Sequence, residues 1–529
     1  MKQCLKLEDL TVEQKIGMVL TVRNLDFSKD DAEFVFDLIG KRAIGAVQIN
    51  PTGGNFEKNM RRVLETADYP ILIGCDMERG FPLGKSKIPG NMALGALHSA
   101  KAVYDFAYIT AKQAKKVGYN MIWSPVVDCA DHDRPCTICR CFGDSEEEIA
   151  EYGTAYLKAF ADCGLIGSAK HYPSAKGGHM DTHMAEEVSD ISREDLIASN
   201  LLPYRKMLAA LGDDMMGVMV GHQTCAQIDP DYPATLSKPM LDLIRDLGFN
   251  GLLITDSFAM VGLIQNFGND KILGLAIRAG NDLILPNYRI SFKDSYNYLL
   301  QNFKDGMFSE ERLNEAVARV LKAQKRTLKQ PANCDLTAAE EDFLAGLSKD
   351  CVCEFRDAGV SPALDKEKKH LFVLVKENQY PDENGFDDSK EICFTTWWNP
   401  FAVKEKLQKD YPNSEFTMVC EFPSRRQVEH VCVTSTTCED VVYLTFCDSQ
   451  CYQGTDGLTE RLRILMEATA KKNAAVLHFG NPYAAAKLVH GPRLILGYQH
   501  PLCVESGLEI LAGDREATAA MPIHRLKLQ

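Results

Sequence analysis

Gly248-Phe249-Asn250-Gly251-Leu252-Leu253-Ile254-Thr255-Asp256-Ser257 is an apolar, β-branched run that leaves a glycine turn and ends on a carboxylate. A short run of this kind, bounded by turn residues, suits a strand buried on both faces. One acid after one apolar strand is weak evidence of chemistry, because helix N-capping accounts for many such acids. The weight comes from repetition. Working outward, comparable runs predict strands over 17–22, 44–49, 71–76, 121–128, 165–171, 217–222, 252–256 and 282–285. Helical periodicity lies between them, as at 100–117, 145–162 and 193–211. Eight strands alternating with helices predict an α/β fold, a (β/α)8 TIM barrel. Asp76, Asp128, Lys170, His171, His222 and Asp256 each stand at the C-terminal end of an apolar run. In a barrel those ends line one mouth, where active sites are built.

The barrel is assigned to residues 1–329 of the 529. Periodicity then breaks in Gln-Pro-Ala-Asn-Cys-Asp-Leu-Thr, so residues 330–345 are read as a linker. A second α/β series follows, with strands expected at 370–375, 416–420, 441–447, 475–479 and 494–498, so residues 346–529 are read as a smaller layered αβα domain. Its strand ends carry few convergent acids or bases.

Composition narrows the partners. Hydrophobic residues at 45% and charged residues at 25% are those of an ordinary globular protein. Lys and Arg number 59 against 73 Asp and Glu, a net charge of −14 with no basic stripe. Nucleic acid and an anionic membrane surface are therefore not expected partners. No apolar run of about 18 residues and no leader-like start is found, which predicts a cytoplasmic protein. Without a secretion signal the 18 cysteines are expected to be thiols. Cys136, Cys139 and Cys141 form a CxxCxC pattern that Cys129 or His132 could complete as a metal site, but no second CxxC pair is present and inert thiols are the favoured reading.

The densest polar segment is Lys170-His171-Tyr172-Pro173-Ser174-Ala175-Lys176-Gly177-Gly178-His179-Met180-Asp181-Thr182-His183. A Lys-His pair at a strand end can donate to sugar hydroxyls or a phosphate. Asp181 and His183, two apart in an extended loop, can share a hydrogen bond in which the carboxylate orients the imidazole, making His183 a candidate proton shuttle. Two other readings stay open: His179, Asp181 and His183 as metal ligands, and a solvated loop stiffened by Gly177 and Gly178.

Taken together, these segments resemble glycoside hydrolase family 3, and within it the β-N-acetylglucosaminidase branch. Cys75-Asp76-Met77-Glu78-Arg79-Gly80 is similar to the family's substrate-aspartate strand, Met92-Ala93-Leu94-Gly95-Ala96 to the segment after it, and Ser124-Pro125-Val126-Val127-Asp128 to its next strand. Arg140-Cys141-Phe142-Gly143 resembles Arg-Ser-Phe-Gly, and the loop from Lys170 to His183 resembles the Lys-His-Phe-Pro opening and Asp-Ser-His close. The run from Gly251 to Asp256 resembles the nucleophile strand, and Ala279-Gly280-Asn281-Asp282 the following Ala-Gly-x-Asp. Beyond about Thr337 the chain resembles the second domain of two-domain members more loosely.

The resemblance implies a retaining, exo-acting β-glycosidase acting on a small carbohydrate, with neither metal nor other cofactor. Asp256 would attack the anomeric carbon, His183 would serve as acid and base with Asp181 as its partner, and Asp76, Arg140, Lys170 and His171 would bind the sugar. A spent histidine acid is neutral where a glutamate would be anionic, so phosphate could compete with water at the second step. A β-glucosidase or a glycosyl phosphorylase is the alternative on the same scaffold, and an inert carbohydrate-binding protein is the alternative outside the enzymes. Three departures bear on the sugar and aglycone: Pro173-Ser174-Ala175-Lys176 replaces Pro-Gly-His-Gly, Gly84 stands where many members carry an arginine, and Ser257 follows the nucleophile where a second acid is frequent.

Overall fold

The computed structural model describes residues 2–23, 31–52, 55–83, 88–131, 135–177, 180–329, 333–376, 397–447 and 458–526. The chain divides into two units, Met1–Lys87 with Ser99–Leu344, and Ile88–His98 with Ala345–Gln529.

In the first unit the barrel strands are β1 (Thr21–Val22), β2 (Ala46–Gln48), β3 (Leu72–Cys75), β4 (Met121–Ile122), β5 (Ile166–Tyr172), β7 (Gly217–Val220), β9 (Leu252–Ser257) and β10 (Leu283–Leu285). The short pair β6 (Val188–Ser189) and β8 (Thr224–Cys225) forms a separate parallel sheet. Barrel strands follow one another in chain order, all parallel. A bridge from Leu20 to Ile284 closes the ring, with Ile284 N–H donating to Val19 O at 2.9 Å. This is the expected (β/α)8 barrel. Leu72, Met121, Trp123, Ile166, Leu252, Ile254 and Leu283 pack in its core. Burial of such side chains is worth about 1.5–3 kcal/mol each, which makes the strand ends a rigid frame for polar groups.

Several element boundaries differ from the sequence reading. Only the end of 17–22 is strand, because Val12–Met18 is a helix begun by a Thr11/Gln14 capping box. Gly17 is required there: a Cβ on it would stand 1.7 Å from the Ala43 carbonyl oxygen. The run 121–128 pairs regularly only at Met121–Ile122, since Pro125 has no N–H to continue the ladder, and a single bridge at Val126 to Lys170 follows. The helix expected over 193–211 is broken into Arg193–Asp195, a π turn at Leu196–Asn200, and Leu202–Leu211 with Pro203 in its first turn. In the expected linker 330–345, Ala338–Asp350 is helical. Thr337 and Glu340 exchange hydrogen bonds, Thr337 N–H to Glu340 Oε2 at 2.8 Å and Glu340 N–H to Thr337 Oγ1 at 3.3 Å, so the Thr-Ala-Ala-Glu there is a capping box.

The second unit has a six-stranded sheet of β11 (Cys353–Arg356), β12 (His370–Lys376), β13 (Glu415–Cys420), β14 (Asp440–Cys447), β15 (Asn473–Gly480) and β16 (Arg493–Gly497), in the order β11-β16-β15-β14-β12-β13. All neighbours are parallel except β11, an antiparallel edge on β16. That edge strand was not read from the sequence. Among the described residues no helix is long and apolar enough to cross a membrane.

Candidate active site

Parallel strands all finish at the same mouth, so the residues after each one converge. Arg23 follows β1, Asp76 and Glu78 follow β3, Lys170 and His171 lie near the end of β5, and Asp256 and Ser257 end β9. Arg140 ends the 3-10 helix Pro135–Arg140.

Two cations and two carboxylates form one chain of contacts. Lys170 Nζ donates to Asp76 Oδ1 at 2.7 Å and lies 2.6 Å from Glu78 Oε1. Arg140 donates to both Glu78 oxygens, from Nε to Oε2 and from Nη2 to Oε1, each at 2.8 Å. Burial alone would raise the Glu78 pKa, but Arg140 and Lys170 hold it well below the usual carboxylate range. Burial alone would discharge Lys170, yet Asp76 and Glu78 more than offset that and its ammonium is favoured. The Asp76 side chain is 55% exposed, which leaves its carboxylate open to a ligand hydroxyl.

Asp256 is held differently. Its Oδ1 accepts from the Ser257 N–H at 2.6 Å, while Oδ2 stands 4.0 Å from His171 Nε2. Burial would raise its pKa, but the His171 and His222 imidazoles, the Ser257 N–H and Lys170 outweigh that and hold it at about 2. His171 Nδ1 donates to Asp128 Oδ2 at 2.7 Å, because a carboxylate can only accept, and its Nε2 lies 3.3 Å from Arg140 Nη2. His222 Nε2 donates to the Ser257 carbonyl at 3.0 Å, and burial lowers its pKa. Arg23 donates to Gln48 Oε1 at 2.7 Å and to the Ser257 hydroxyl, within the field of Asp76 and Asp256.

The loop after β5 brings in the proton-transfer pair. Asp181 Oδ1 accepts from His183 Nδ1 at 2.7 Å and from the His183 N–H at 2.9 Å, which fixes the ring hydrogen of Nδ1 and assigns proton exchange to Nε2. The loop is tied down at several points. Gln223 bonds both polar groups of the Ala175 backbone at 2.9 Å, β6 pairs with β8, and Val261 and Gly262 donate to the carbonyls of His183 and Thr182 at 3.4 and 3.2 Å.

Arg140, His171, His183 and Asp256 line one pocket, together with Met180, Thr182, Glu187, His222 and Met260. Asp181 stands behind His183, and Asp76 and Lys170 join through Glu78 to Arg140. Glu78, Arg23 and Glu187 were not singled out from sequence; for Arg23 the signal was its place directly after a barrel strand. Gly84, His132, Gly178 and His179 lie outside the described residues, as does the side chain of Cys136, and Cys139 and Cys141 are buried. Among the described residues no group of three His, Cys, Asp or Glu could hold a metal ion.

Comparison with known proteins gives a consistent picture. The profile of the glycosyl hydrolase family 3 N terminal domain matches residues 11–323. A β-N-acetylglucosaminidase/β-glucosidase of Cellulomonas fimi is 30% identical over 332 residues, 60% of this chain and 57% of that protein. β-Hexosaminidase A of Pseudoalteromonas piscicida is 24% identical over 389 residues, 67% of this chain and 61% of that one. The chain thus matches over about three-fifths of the length of these relatives. Among solved structures, a family 3 β-N-acetylglucosaminidase from Paenibacillus sp. str. FPU-7 superposes with a TM-score of 0.78 at 23% identity, covering 98% of this chain and 100% of that one. The β-glucoside phosphorylase BglX bound to 2FGlc gives a TM-score of 0.78 at 20% identity, covering 98% and 95%. At such identities the likeness establishes the fold.

Proposed function

Because the chain belongs to glycosyl hydrolase family 3, we propose that it is a retaining, exo-acting β-glycosidase that releases N-acetyl-β-D-glucosamine from a non-reducing end through a covalent glycosyl-aspartate intermediate. The observation that carries this reading is the sharing of one pocket by Asp256, an anion down to about pH 2, and His183, whose ring is oriented through Nδ1 by Asp181. The names of the Cellulomonas fimi and Pseudoalteromonas piscicida relatives support the choice of sugar.

The chemistry is a double displacement. Asp256 Oδ2, the oxygen not bonded to the Ser257 N–H, forms a bond to the anomeric carbon as the bond to the leaving oxygen breaks. His183 Nε2 gives its proton to that oxygen. Water then attacks the same carbon, returns its proton to His183, and the bond to Asp256 breaks. Asp76 accepts from sugar hydroxyls, while Lys170 beside it and Arg140 donate to them.

Release of nitrophenol from matched N-acetyl-β-glucosaminide and β-glucoside substrates tests the reading, with phosphate present and absent and products identified. Preference for the N-acetyl sugar is expected. Asp256→Asn should abolish turnover, and a 2-fluoro sugar should leave the intact protein heavier by one glycosyl group on Asp256. Cleavage that survives Asp256→Asn would sink the assignment.

A further inference from the structure

One cation at the mouth has no part in that mechanism. Arg23 leaves β1, and the closed ring places β2 on one side of β1 and β10, then β9, on the other. Its part-buried guanidinium reaches both ways. Nε donates to Gln48 Oε1, on β2, at 2.7 Å, and Nη1 donates to the Ser257 hydroxyl, on β9, two strands away. Two donors held at a fixed separation are what a guanidinium offers and a lysine ammonium does not.

Ser257 directs the turn that follows the nucleophile, and each of its polar groups is engaged. Its N–H donates to Asp256 Oδ1 at 2.6 Å. Its carbonyl accepts from His222 Nε2 at 3.0 Å and from the Met260 N–H at 3.2 Å. Its hydroxyl accepts from Arg23 and from the Ala259 N–H, the latter at 3.3 Å. The N–H contact bears on the chemistry, because it occupies Oδ1 and leaves Oδ2 to attack. It holds only while the turn keeps its direction. A second arginine, Arg289, donates to the Ala259 carbonyl in the same turn, and the Tyr288 ring centroid lies 5.1 Å from Arg23 Cζ and 5.3 Å from Arg289 Cζ, so one aromatic ring braces both guanidiniums. Asp256 is one of the carboxylates that oppose the effect of burial on Arg23, so the guanidinium also favours the anionic nucleophile.

We propose that Arg23 is a positioning residue for the nucleophile: through the Ser257 hydroxyl it fixes the turn whose N–H holds Asp256 Oδ1, so that Oδ2 is aimed at the anomeric carbon before the sugar arrives. The inference rests on the glycosidase reading above. Orienting the attacking atom in advance speeds bond formation without adding to the binding of the intact sugar, so its loss shows in the rate of the covalent step and not in sugar affinity.

The test uses the full chain and two probes: a 2-fluoro sugar, whose first-order rate of labelling at saturation reports bond formation by Asp256, and N-acetylglucosamine, whose inhibition constant reports sugar binding. Both are independent of how much of a preparation is folded. Arg23→Met keeps an apolar stem and removes the fork, and Ser257→Ala removes the acceptor. Each should slow labelling about 10–100-fold and leave the inhibition constant within about twofold of wild type. Arg23→Lys, which keeps the charge without the two-way reach, should lose most of the same factor. The double variant should label within about twofold of the slower single variant, because both changes cut one link. Ser257→Ala, the smaller change, carries the test where Arg23→Met does not fold. Unchanged labelling in either single variant, losses that multiply in the double variant, or a weaker hold on N-acetylglucosamine with labelling unaltered would each overturn the inference. Failure of the wild type to be labelled on Asp256 would instead count against the glycosidase reading.

Discussion

Asp128 grips His171 twice, accepting from its backbone N–H through Oδ1 at 2.9 Å and from its ring Nδ1 through Oδ2 at 2.7 Å. The fully buried carboxylate therefore sets both where the imidazole sits and which nitrogen carries hydrogen. In Asp128→Asn the side-chain oxygen can still receive one of these bonds, but the NH2 cannot accept the other. His171 should then turn its hydrogen to Nε2, facing Arg140 and Asp256. A hydrogen bond to a charged group is worth about 1.5–3 kcal/mol, so kcat/KM should fall about 10–100-fold. Steady-state kinetics alongside a melting curve checks this, and an unaltered kcat/KM in a folded variant would refute it.

Glu78 invites a second prediction. It neutralises Arg140 and Lys170 together but touches no reacting atom in the proposed mechanism. Glu78→Gln leaves Lys170 with Asp76 as its one remaining carboxylate among these contacts, drawing that acid away from sugar hydroxyls. KM should therefore rise more than kcat falls. Breaking a buried ionic contact costs about 3–5 kcal/mol, so the melting temperature should drop as well. A loss confined to kcat, with KM unmoved, would show that Glu78 acts on the chemistry instead.

The barrel was legible because its repeated unit is strong: an apolar run ending on a charged residue, as at Ile254-Thr255-Asp256. Asp181 and His183 were legible because a strand end led directly into a loop too polar for packing alone. Arg23 escaped because a lone cation beyond a run in which only Leu20–Val22 pair makes no pattern with its sequence neighbours. Glu78 and Glu187 escaped for a different reason. Each is turned by local alternation, beside buried Met77 or before a two-residue strand, and so short an element leaves no periodic signal. Cys353–Arg356 was missed because half of this edge strand is charged, and its pairing partner Arg493–Gly497 lies far along the chain.

The leaving group offers a third prediction. A proton from His183 matters most when the departing oxygen is basic and little when it is already a good anion. His183→Ala should reduce cleavage of an N-acetylglucosamine disaccharide by about 10²–10⁴-fold, while a dinitrophenyl glycoside loses far less. Asp181→Asn should follow the same pattern more weakly, since it loosens the imidazole without removing it. Equal losses on both substrates would point to a binding role for His183.

A pH effect on stability should come from the second unit, at His478. This imidazole is fully buried, with Nδ1 2.8 Å from the Thr445 hydroxyl and Nε2 donating to the Asn481 carbonyl at 3.0 Å. Both partners are neutral, so burial lowers its pKa to about 4. The unfolded chain takes up this proton near pH 6.5, before the folded protein does, so the contribution is fully present above that pH and is lost as pH falls toward 4. A depression of this size corresponds to about 3 kcal/mol. His370 works in the opposite sense: Asp440 raises its pKa, and its contribution is present below pH 6.5 and fades at higher pH, so it adds nothing to the acid loss. Two of the three tryptophans, Trp397 and Trp398, lie in this unit, which makes fluorescence a suitable probe. Urea unfolding at pH 7.5 and 4.5 should show the wild type losing about 2.5 kcal/mol more than His478→Gln between the two conditions, most of the full depression. Parallel losses would mean that another group sets the acid limit.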